Sequence, residues 1–381
     1  MKIACIASSR IPSNTANSIQ VMKVCQSMVQ IGHEVRLWVP GTAQIPWDGF
    51  SQHYGLTSPF EISWLKSNPG LKRYDLAASA VGKAIQWNAD IIYTWLPQAS
   101  ILGQLRGLPV VLEVHDRPTG NFGPWLLKRT VKMHGRKRLA VITRALVSVL
   151  EKEFKLSIPA EDLVIAPNGV DLGRYADLLE PSAARTLLGL PPEKLTAVYS
   201  GHLYAGRGID LLFGLAQAFP DVIFLLVGGN AESVEGCRKQ AAEARLPNIT
   251  LTGFVDNHRL PLFQAAGEVL LMPYGRVIAG SGGGNSADIC SPMKMFEYMA
   301  CGRAILVSDL PVFHEVLHDQ NAVFCEVENL ESWKAGLKDL LEKPDKIQNL
   351  GRQAKVDALN YTWNSRARAI LHDLELPEEL T

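Results

Sequence analysis

Residues 290–311 read CSPMKMFEYMACGRAILVSDLP, a helix running at once into a strand, and the character of that pair decides the fold. Ser291 stands where an N-cap belongs, Pro292 at the first helical position and Gly302 just past the last, so the punctuation predicts a helix between them. Met293, Met295, Phe296, Met299 and Ala300 supply its apolar face, while Lys294, Glu297, Tyr298 and Cys301 share the other stripe at helical spacing. The following run, AILVSD, is apolar until its end, as in a strand covered on both faces.

The same alternation extends outward in both directions. KIACIAS, EVRLWVP, DIIYTW and PVVLEVH read as strands in the first half, and TAVYSGHL, VIFLLVGG, ITLTGFV, EVLLMPY and AVFCEV repeat the pattern in the second. Buried strands separated by amphipathic stretches predict α/β architecture with open parallel sheets. At 381 residues the chain exceeds what one core usually fills. Two Rossmann-like domains are therefore expected, at 1–175 and 193–361. A linker rich in turn formers joins them at 176–192, and a last helix at 362–381 returns to the first domain. Ligands of such sheets bind beyond the carboxyl ends of the strands, which puts the expected site in the cleft between the domains.

Thirty-eight basic and 38 acidic residues cancel, so global charge gives no support to a nucleic-acid binder. The six cysteines (Cys5, Cys25, Cys237, Cys290, Cys301 and Cys325) form no CxxC or metal-ligand grouping, which fits reduced thiols in a cytosolic protein. MKIACIASSR is a first strand rather than a signal peptide, and no apolar run is long enough to span a bilayer.

Four places can carry chemistry. At the opening helix, a glycine-rich loop feeds an N-terminus whose free amides, those of Met293 and Lys294, form an anion site; Glu297 one turn on can accept hydrogen bonds from the two hydroxyls of a ribose. The plain alternative is a surface Lys294–Glu297 pair worth about 0.2–0.5 kcal/mol. In VYSGHLYAGRGIDLL a buried strand ends at Gly201 and Arg207 precedes a helix opened by Gly208, where a guanidinium can hold a diphosphate bidentately or remain a solvated charge. In PVVLEVHDRPTG, Glu113 and His115 alternate onto one face at a strand's carboxyl end, as binding residues or as a structural hydrogen bond. In SSRIPSNTANSIQVMKV, Asn17 or Ser18 is the expected N-cap, and capping alone accounts for the loop. GSGGGN and LVGGNAES do not complete a GxGxxG, and the chain has no Walker loop, HExxH, GxSxG or Asp-x-Asp. A phosphate site that needs no metal is the expectation, and no metal ligands are assigned.

Taken together, IPSNTANSIQVMKVCQSMVQIGHEVRLWVP, VVLEVHD, IAPNGVDLGRY, YSGHLYAGRGID, LTGFVDNHRLPLFQAAGEVLLMPY and above all SPMKMFEYMACGRAILVSDLP resemble the retaining glycosyltransferases of the GT-B fold, glycosyltransferase family 4 or group 1. The resemblance implies a nucleotide-diphosphate sugar donor, UDP- or GDP-linked, with no cofactor, and transfer with retention in which the leaving phosphate deprotonates the acceptor. It implies that Glu297 binds the ribose, Arg207 the diphosphate, and that His115 lies beside the donor sugar. Gly201, His202, Ser291, Met293, Lys294 and Val255 then surround the donor, and Asn17, Ser18 and Glu113 lie on the acceptor side or its loop. Two positions depart from the family's pattern: His202 stands where an arginine is usual, and Ile289, with Asp288 one place off, replaces the first of two glutamates. Donor-sugar specificity is where these departures bear.

WLLKRTVKMHGRKR packs six Lys or Arg into residues 125–138. It is either a solvated basic helix or a contact with anionic lipid heads. The reading is a cytoplasmic glycosyltransferase, peripheral at the inner face of the membrane, acting on a glycan or lipid-linked acceptor in cell-surface polysaccharide synthesis. A nucleotide-sugar epimerase and an inactive nucleotide-sugar-binding subunit are the rivals.

Overall fold

The computed structural model describes residues 1–42, 45–204, 206–278 and 285–374. The chain divides into one unit of Met1–Asn168 with Trp363–Thr381 and a second of Gly169–Thr362.

In the first unit, strands β1 (Lys2–Ile6), β2 (Glu34–Pro40), β3 (Glu61–Leu65), β4 (Ile91–Thr94), β5 (Val110–Val114), β6 (Lys137–Val141) and β7 (Leu163–Ile165) form one sheet in the order β3-β2-β1-β4-β5-β6-β7. Its helices are α1 (Ala16–Gln30), α2 (Trp47–Tyr54), α3 (Tyr74–Gln86), α4 (Pro97–Leu105), α5 (Gly123–Lys132) and α6 (Arg144–Phe154), with α14 (Trp363–Leu371) from the far end of the chain. In the second unit, β8 (Thr196–Ser200), β9 (Ile223–Val227), β10 (Ile249–Gly253), β11 (Val269–Met272), β12 (Ala304–Ser308) and β13 (Val323–Cys325) pair in the order β10-β9-β8-β11-β12-β13. Its helices are α7 (Pro181–Leu187), α8 (Ile209–Ala218), α9 (Ala231–Glu243), α10 (Leu260–Ala265), α11 (Met293–Cys301), α12 (Leu330–Leu341) and α13 (Pro344–Ala358). All pairings in both sheets are parallel.

The central strands are buried end to end because helices cover both faces, which is why their sequences are continuously apolar. Phe224, Leu226, Leu271, Leu306 and Trp333 fill the second unit's core on one side of its sheet. In each sheet the strand order reverses beside the first strand: between β1 and β4, and between β8 and β11. Adjacent loops leave in opposite directions there, opening a crevice at the strands' carboxyl ends.

Several expectations need correction. The stretch read as a linker, 176–192, contains α7, and its Arg185 is buried, donating to Ala266 O and to Glu268 at 2.8 Å, so it is a folded part of the second unit. Three further strands, β3, β6 and β7, were not read from the sequence; all three have half-buried positions, so they lack a strong apolar run. The last helix ends at Leu371, and residues 375–381 lie outside the described ones. All six cysteines are free thiols. Among the described residues no helix is long and apolar enough to cross a membrane.

Candidate active site

α11 begins at Met293 with Pro292 as N-cap, not Ser291, and no side chain caps it. Its amides are therefore left open, as an anion site requires. The two-stripe reading of this helix gives way to burial all round: Tyr298 and Cys301 are as enclosed as Phe296 and Met299, because α11 lies between the sheet and α13. A solvated Lys294–Glu297 pair is thereby ruled out.

Lys294 reaches back toward the end of β8. Its Nζ is buried, has no hydrogen-bond partner among the described residues, and lies 4.1 Å from the centre of the Tyr199 ring and 5.4 Å from that of Tyr274. Tyr274 follows β11, so the ammonium position is walled by residues from both sides of the β8/β11 switch point. Gly201 (φ +145°) makes room: a Cβ there would come within 2.6 Å of Lys294 Nζ. Burial, and after it the Arg207 charge, depress Lys294 well below the ordinary lysine range, with Glu297 pulling the other way.

Arg207 enters from the loop after β8. Its guanidinium lies 4.8 Å from the Tyr274 ring and 5.0 Å from that of Tyr204, donates to Tyr204 Oη at 2.6 Å, and keeps a buried Nε with no partner among the described residues. Gly206 O accepts from Gly275 N at 3.0 Å, which fastens this loop to the one after β11. Gly208 must be glycine, since at φ +70° a Cβ would meet Pro273 O at 2.1 Å. His202 precedes Arg207 by five residues and its ring is 5.4 Å from that of Tyr204. Burial first, then Arg207 and Lys294, lower its protonation point. The loop is anchored by Tyr199 Oη, which donates to His202 O at 2.6 Å.

Glu297 lies one turn deeper, 9% exposed, accepting from Gln264 Nε2 at 3.3 Å. Gln264 is itself held by Tyr175 Oη at 2.9 Å and reaches Ser200 Oγ at 3.3 Å. Tyr298 Oη accepts the Ser200 amide at 2.8 Å, tying α11 to β8. Ser291 is buried and Met293 half-buried at the helix entry. Val255 is half-buried and follows the edge strand β10. The glycine run at 279–284 lies outside the described residues.

The first unit groups a second set. His115 follows β5 and its Nε2 bonds the Glu113 carboxylate. Glu113 also accepts from Arg366 Nη1 at 2.7 Å and Nη2 at 2.9 Å, from Gln20 Nε2 at 3.0 Å and from Tyr93 Oη. Burial alone would raise this carboxyl, but Arg366 and His115 bring it far below the carboxylate range. Glu113 is thus saturated by strand and helix neighbours and orients His115, whose side chain keeps 23% exposure. In the neutral ring Nδ1 is then the acceptor. The α1 N-cap is Thr15, which accepts from Ser18 N at 3.3 Å, rather than Asn17 or Ser18. Ser18 is buried and donates to Ser13 O at 2.7 Å, and Asn17 is exposed with its Oδ1 taken by Ser9.

Tyr199, Tyr274, Gln264 and Arg366 were missed from the sequence. The tyrosines sit in apolar strand runs and read as core; Gln264 and Arg366 gain meaning only from long-range partners. Among the described residues no group of three or more His, Cys, Asp or Glu is placed to hold a metal ion.

Residues 183–357 match the family described as Glycosyl transferases group 1, and residues 18–174 match Glycosyltransferase Family 4. The chain belongs to the family 4, or group 1, glycosyltransferases. A phosphatidyl-myo-inositol mannosyltransferase of Mycolicibacterium smegmatis is 25% identical over 93% of this chain and 88% of its own length. An alpha-galactosylglucosyldiacylglycerol synthase of Streptococcus pneumoniae is 24% identical over 69% of each chain. Among solved structures, Anabaena HepE in complex with UDP is similar at a TM-score of 0.73, with 18% identity and coverage of 98% of this chain and 99% of that one. A glycosyltransferase from Rickettsia africae reaches a TM-score of 0.77 at 12% identity, covering 98% and 97%. The fold is GT-B, with two Rossmann-like units. This family 4 chain is a glycosyltransferase.

Proposed function

We propose that the protein transfers a sugar, with retention and without a metal, from a nucleotide-diphosphate donor to a glycan or lipid-linked acceptor in cell-surface polysaccharide or glycolipid synthesis. One observation carries this reading: Arg207 Nε and Lys294 Nζ are both buried at the second unit's switch point, and among the described residues neither has a hydrogen-bond partner or is paired to a carboxylate. Buried cationic donors left unmet cost free energy unless a ligand meets them. A diphosphate brings the anionic oxygens these donors lack, and the open amides of α11 add to them. Glu297, held by Gln264, takes the ribose hydroxyls. Structures similar to this one hold UDP and UDP-glucose, which agrees with such a donor.

In the reaction the anomeric carbon's bond to the phosphate oxygen breaks, its bond to the acceptor oxygen forms on the same face, and the acceptor's proton passes to the departing phosphate. Arg207 and Lys294 stabilise the charge that gathers on that phosphate, where fixed donors in a dry site act most strongly. His115 contributes at the sugar, its ring set by Glu113. Because the protein supplies cations of its own, the donor's charge is met without a metal. The lipid-linked acceptor is supported by α5, where Phe122 and Trp125 are 59% and 60% exposed beside exposed Lys128, Arg129 and Lys132. This surface supports peripheral contact with a membrane.

Thermal-shift titrations with UDP, GDP, UDP-glucose and GDP-mannose, with and without magnesium, test the donor site. A metal-independent rise in the midpoint with one base, lost in Arg207→Ala, is expected. Turnover of Arg207→Ala should fall by about 10²–10³-fold, the loss typical of one transition-state donor. No shift with any of the four ligands would sink the nucleotide-sugar reading. An epimerised nucleotide sugar formed without acceptor would redirect it to an epimerase.

A further inference from the structure

Lys294 raises a question that the donor site alone does not answer: what its amine does while the site is empty. Among the described residues it carries the one ammonium position that is buried with no hydrogen-bond partner. The groups facing it come from every element around it. Tyr199 closes one side from β8, and Tyr274 another from the loop after β11. Arg207 and His202 approach from the loop after β8, and Glu297 from one turn further along α11. Glu297 shares its carboxylate with Gln264.

A full charge at Nζ would lose its hydration, the largest cost in the balance. The two tyrosine faces return only part of it. Arg207 opposes a second cation, and Glu297 only partly offsets it. The balance favours the free amine, in line with the direction in which burial and Arg207 move this lysine. A diphosphate would reverse it, since two anionic phosphates against Nζ outweigh one neighbouring guanidinium.

We propose that Lys294 waits as a neutral amine and takes a proton from solvent when the donor's diphosphate arrives, so that donor binding and proton uptake are a single coupled event; this rests on the diphosphate reading above. The step balances simply: the amine nitrogen's lone pair accepts one solvent proton, no other bond changes, and the ammonium formed lies against a phosphate oxygen. The free protein avoids two uncompensated buried cations, while the bound complex has both. Arg207, which keeps its charge at all accessible pH, supplies the initial attraction. Lys294 then makes a charge that exists only in the complex, which stabilises the leaving phosphate without burdening the empty site.

Isothermal titration calorimetry tests this with UDP-glucose and GDP-mannose, whose phosphates do not titrate near neutrality. Measurements at about pH 8, above the histidine range and below the free lysine range, are repeated in buffers of different ionisation enthalpy. The slope of binding enthalpy against buffer enthalpy counts protons. Uptake approaching about one proton per site is expected, retained in His202→Gln and absent in Lys294→Arg. Above the free enzyme's transition the dissociation constant should weaken by about tenfold per pH unit. That pH slope in the wild-type protein decides the matter if Lys294→Arg fails to fold or bind. Binding with no proton uptake and a flat pH dependence overturns the inference and leaves the donor reading standing. Uptake that vanishes in His202→Gln but survives in Lys294→Arg also overturns it, assigning the proton to His202. If neither nucleotide sugar binds, the donor reading fails and the inference fails with it.

Discussion

Lys294 and Glu113 show two ways of burying a charge, and their difference separates a binding group from a structural one. Glu113 is met by Arg366 through both guanidinium nitrogens, by Gln20, by Tyr93 and by His115, so nothing is left for a ligand. Among the described residues, Lys294 Nζ is met by ring faces and by no hydrogen-bond partner. A lysine whose protonation point is lowered by folding destabilises the native state wherever the unfolded chain holds a proton that the native one does not. Stability from this source therefore rises with pH from Lys294's native transition toward the lysine reference value of 10.5. Lys294→Met, which keeps the stem and removes the amine, should accordingly stabilise the ligand-free protein near neutrality by about 0.5–2 kcal/mol while abolishing donor binding. Denaturant unfolding of the two proteins at several pH values checks this, and a destabilised Lys294→Met would mean that the amine is satisfied in the free state. The sequence exposed Lys294 and Glu297 because charges inside an apolar helix are conspicuous. It concealed Tyr199 and Tyr274, since a tyrosine in a strand run looks the same whether it fills a core or walls a cation. Arg366 was equally hidden, its partner Glu113 lying far away along the chain.

At the scale of elements, apolar periodicity located the central strands and α11, and it failed where a strand is only half covered. The basic run at 125–138 shows the failure and its consequence. Read as one segment, it is in fact most of α5 followed by the start of β6. Lys137 pairs with Asp162 at 2.7 Å, and Arg136 and Arg138 donate to Asp373 O and His372 O, so these three charges hold the first unit together. Only α5 still presents Lys128, Arg129 and Lys132 to solvent, with Leu126, Leu127 and Val131 buried on its other side. The proposed membrane contact is thereby narrowed from the whole run to α5 and its exposed Phe122 and Trp125, with the Lys72 ammonium 5.8 Å from the Phe122 ring. Each basic residue near an anionic surface is worth about 1 kcal/mol. Replacing Lys128 and Arg129 by Gln should thus weaken sedimentation with phosphatidylglycerol vesicles by about 2 kcal/mol, about thirtyfold, with no change on phosphatidylcholine alone. Equal binding of the variant and the parent to the anionic vesicles would make α5 a merely solvated helix. Cap positions were off by two or three residues at α1 and by one at α11, because Thr15 competes with Asn17 and Ser18 for one role and Pro292 with Ser291 for another.

At the scale of the whole molecule, the first unit is discontinuous: its sheet is built from residues before Asn168, yet α14 comes from beyond the entire second unit. Trp363, Ala367, Ile370 and Leu371 bury one side of α14, which packs against α1 within that unit, and Arg366 carries the bidentate bond to Glu113. The α/β class and the two sheets were legible from strand patterning, because period and burial are local properties of a run. The return of the last helix to the first unit was expected from how two-domain chains of this kind are built and not from the helix itself, since an amphipathic helix states that it has a partner without stating which. Sequence neighbours and stability neighbours should therefore differ here. Ile370→Ala removes a fully buried side chain and should cost about 2–5 kcal/mol, the usual range for such a cavity. That loss should fall on the first unit, whose β1, β4 and β5 amides lie in the same packed block as α1 and α14, even though Ile370 is much nearer in sequence to α13 of the second. Native-state hydrogen exchange on the full chain reads both units at once. In Ile370→Ala the amides of β1, β4, β5 and α1 should exchange faster by a factor that reports the full destabilisation, while those of β8, β9, β11 and β12 keep their parental protection. Faster exchange confined to β8, β9, β11 and β12 would assign α14 to the wrong unit, and equal loss across both sheets would show that the two units unfold as one.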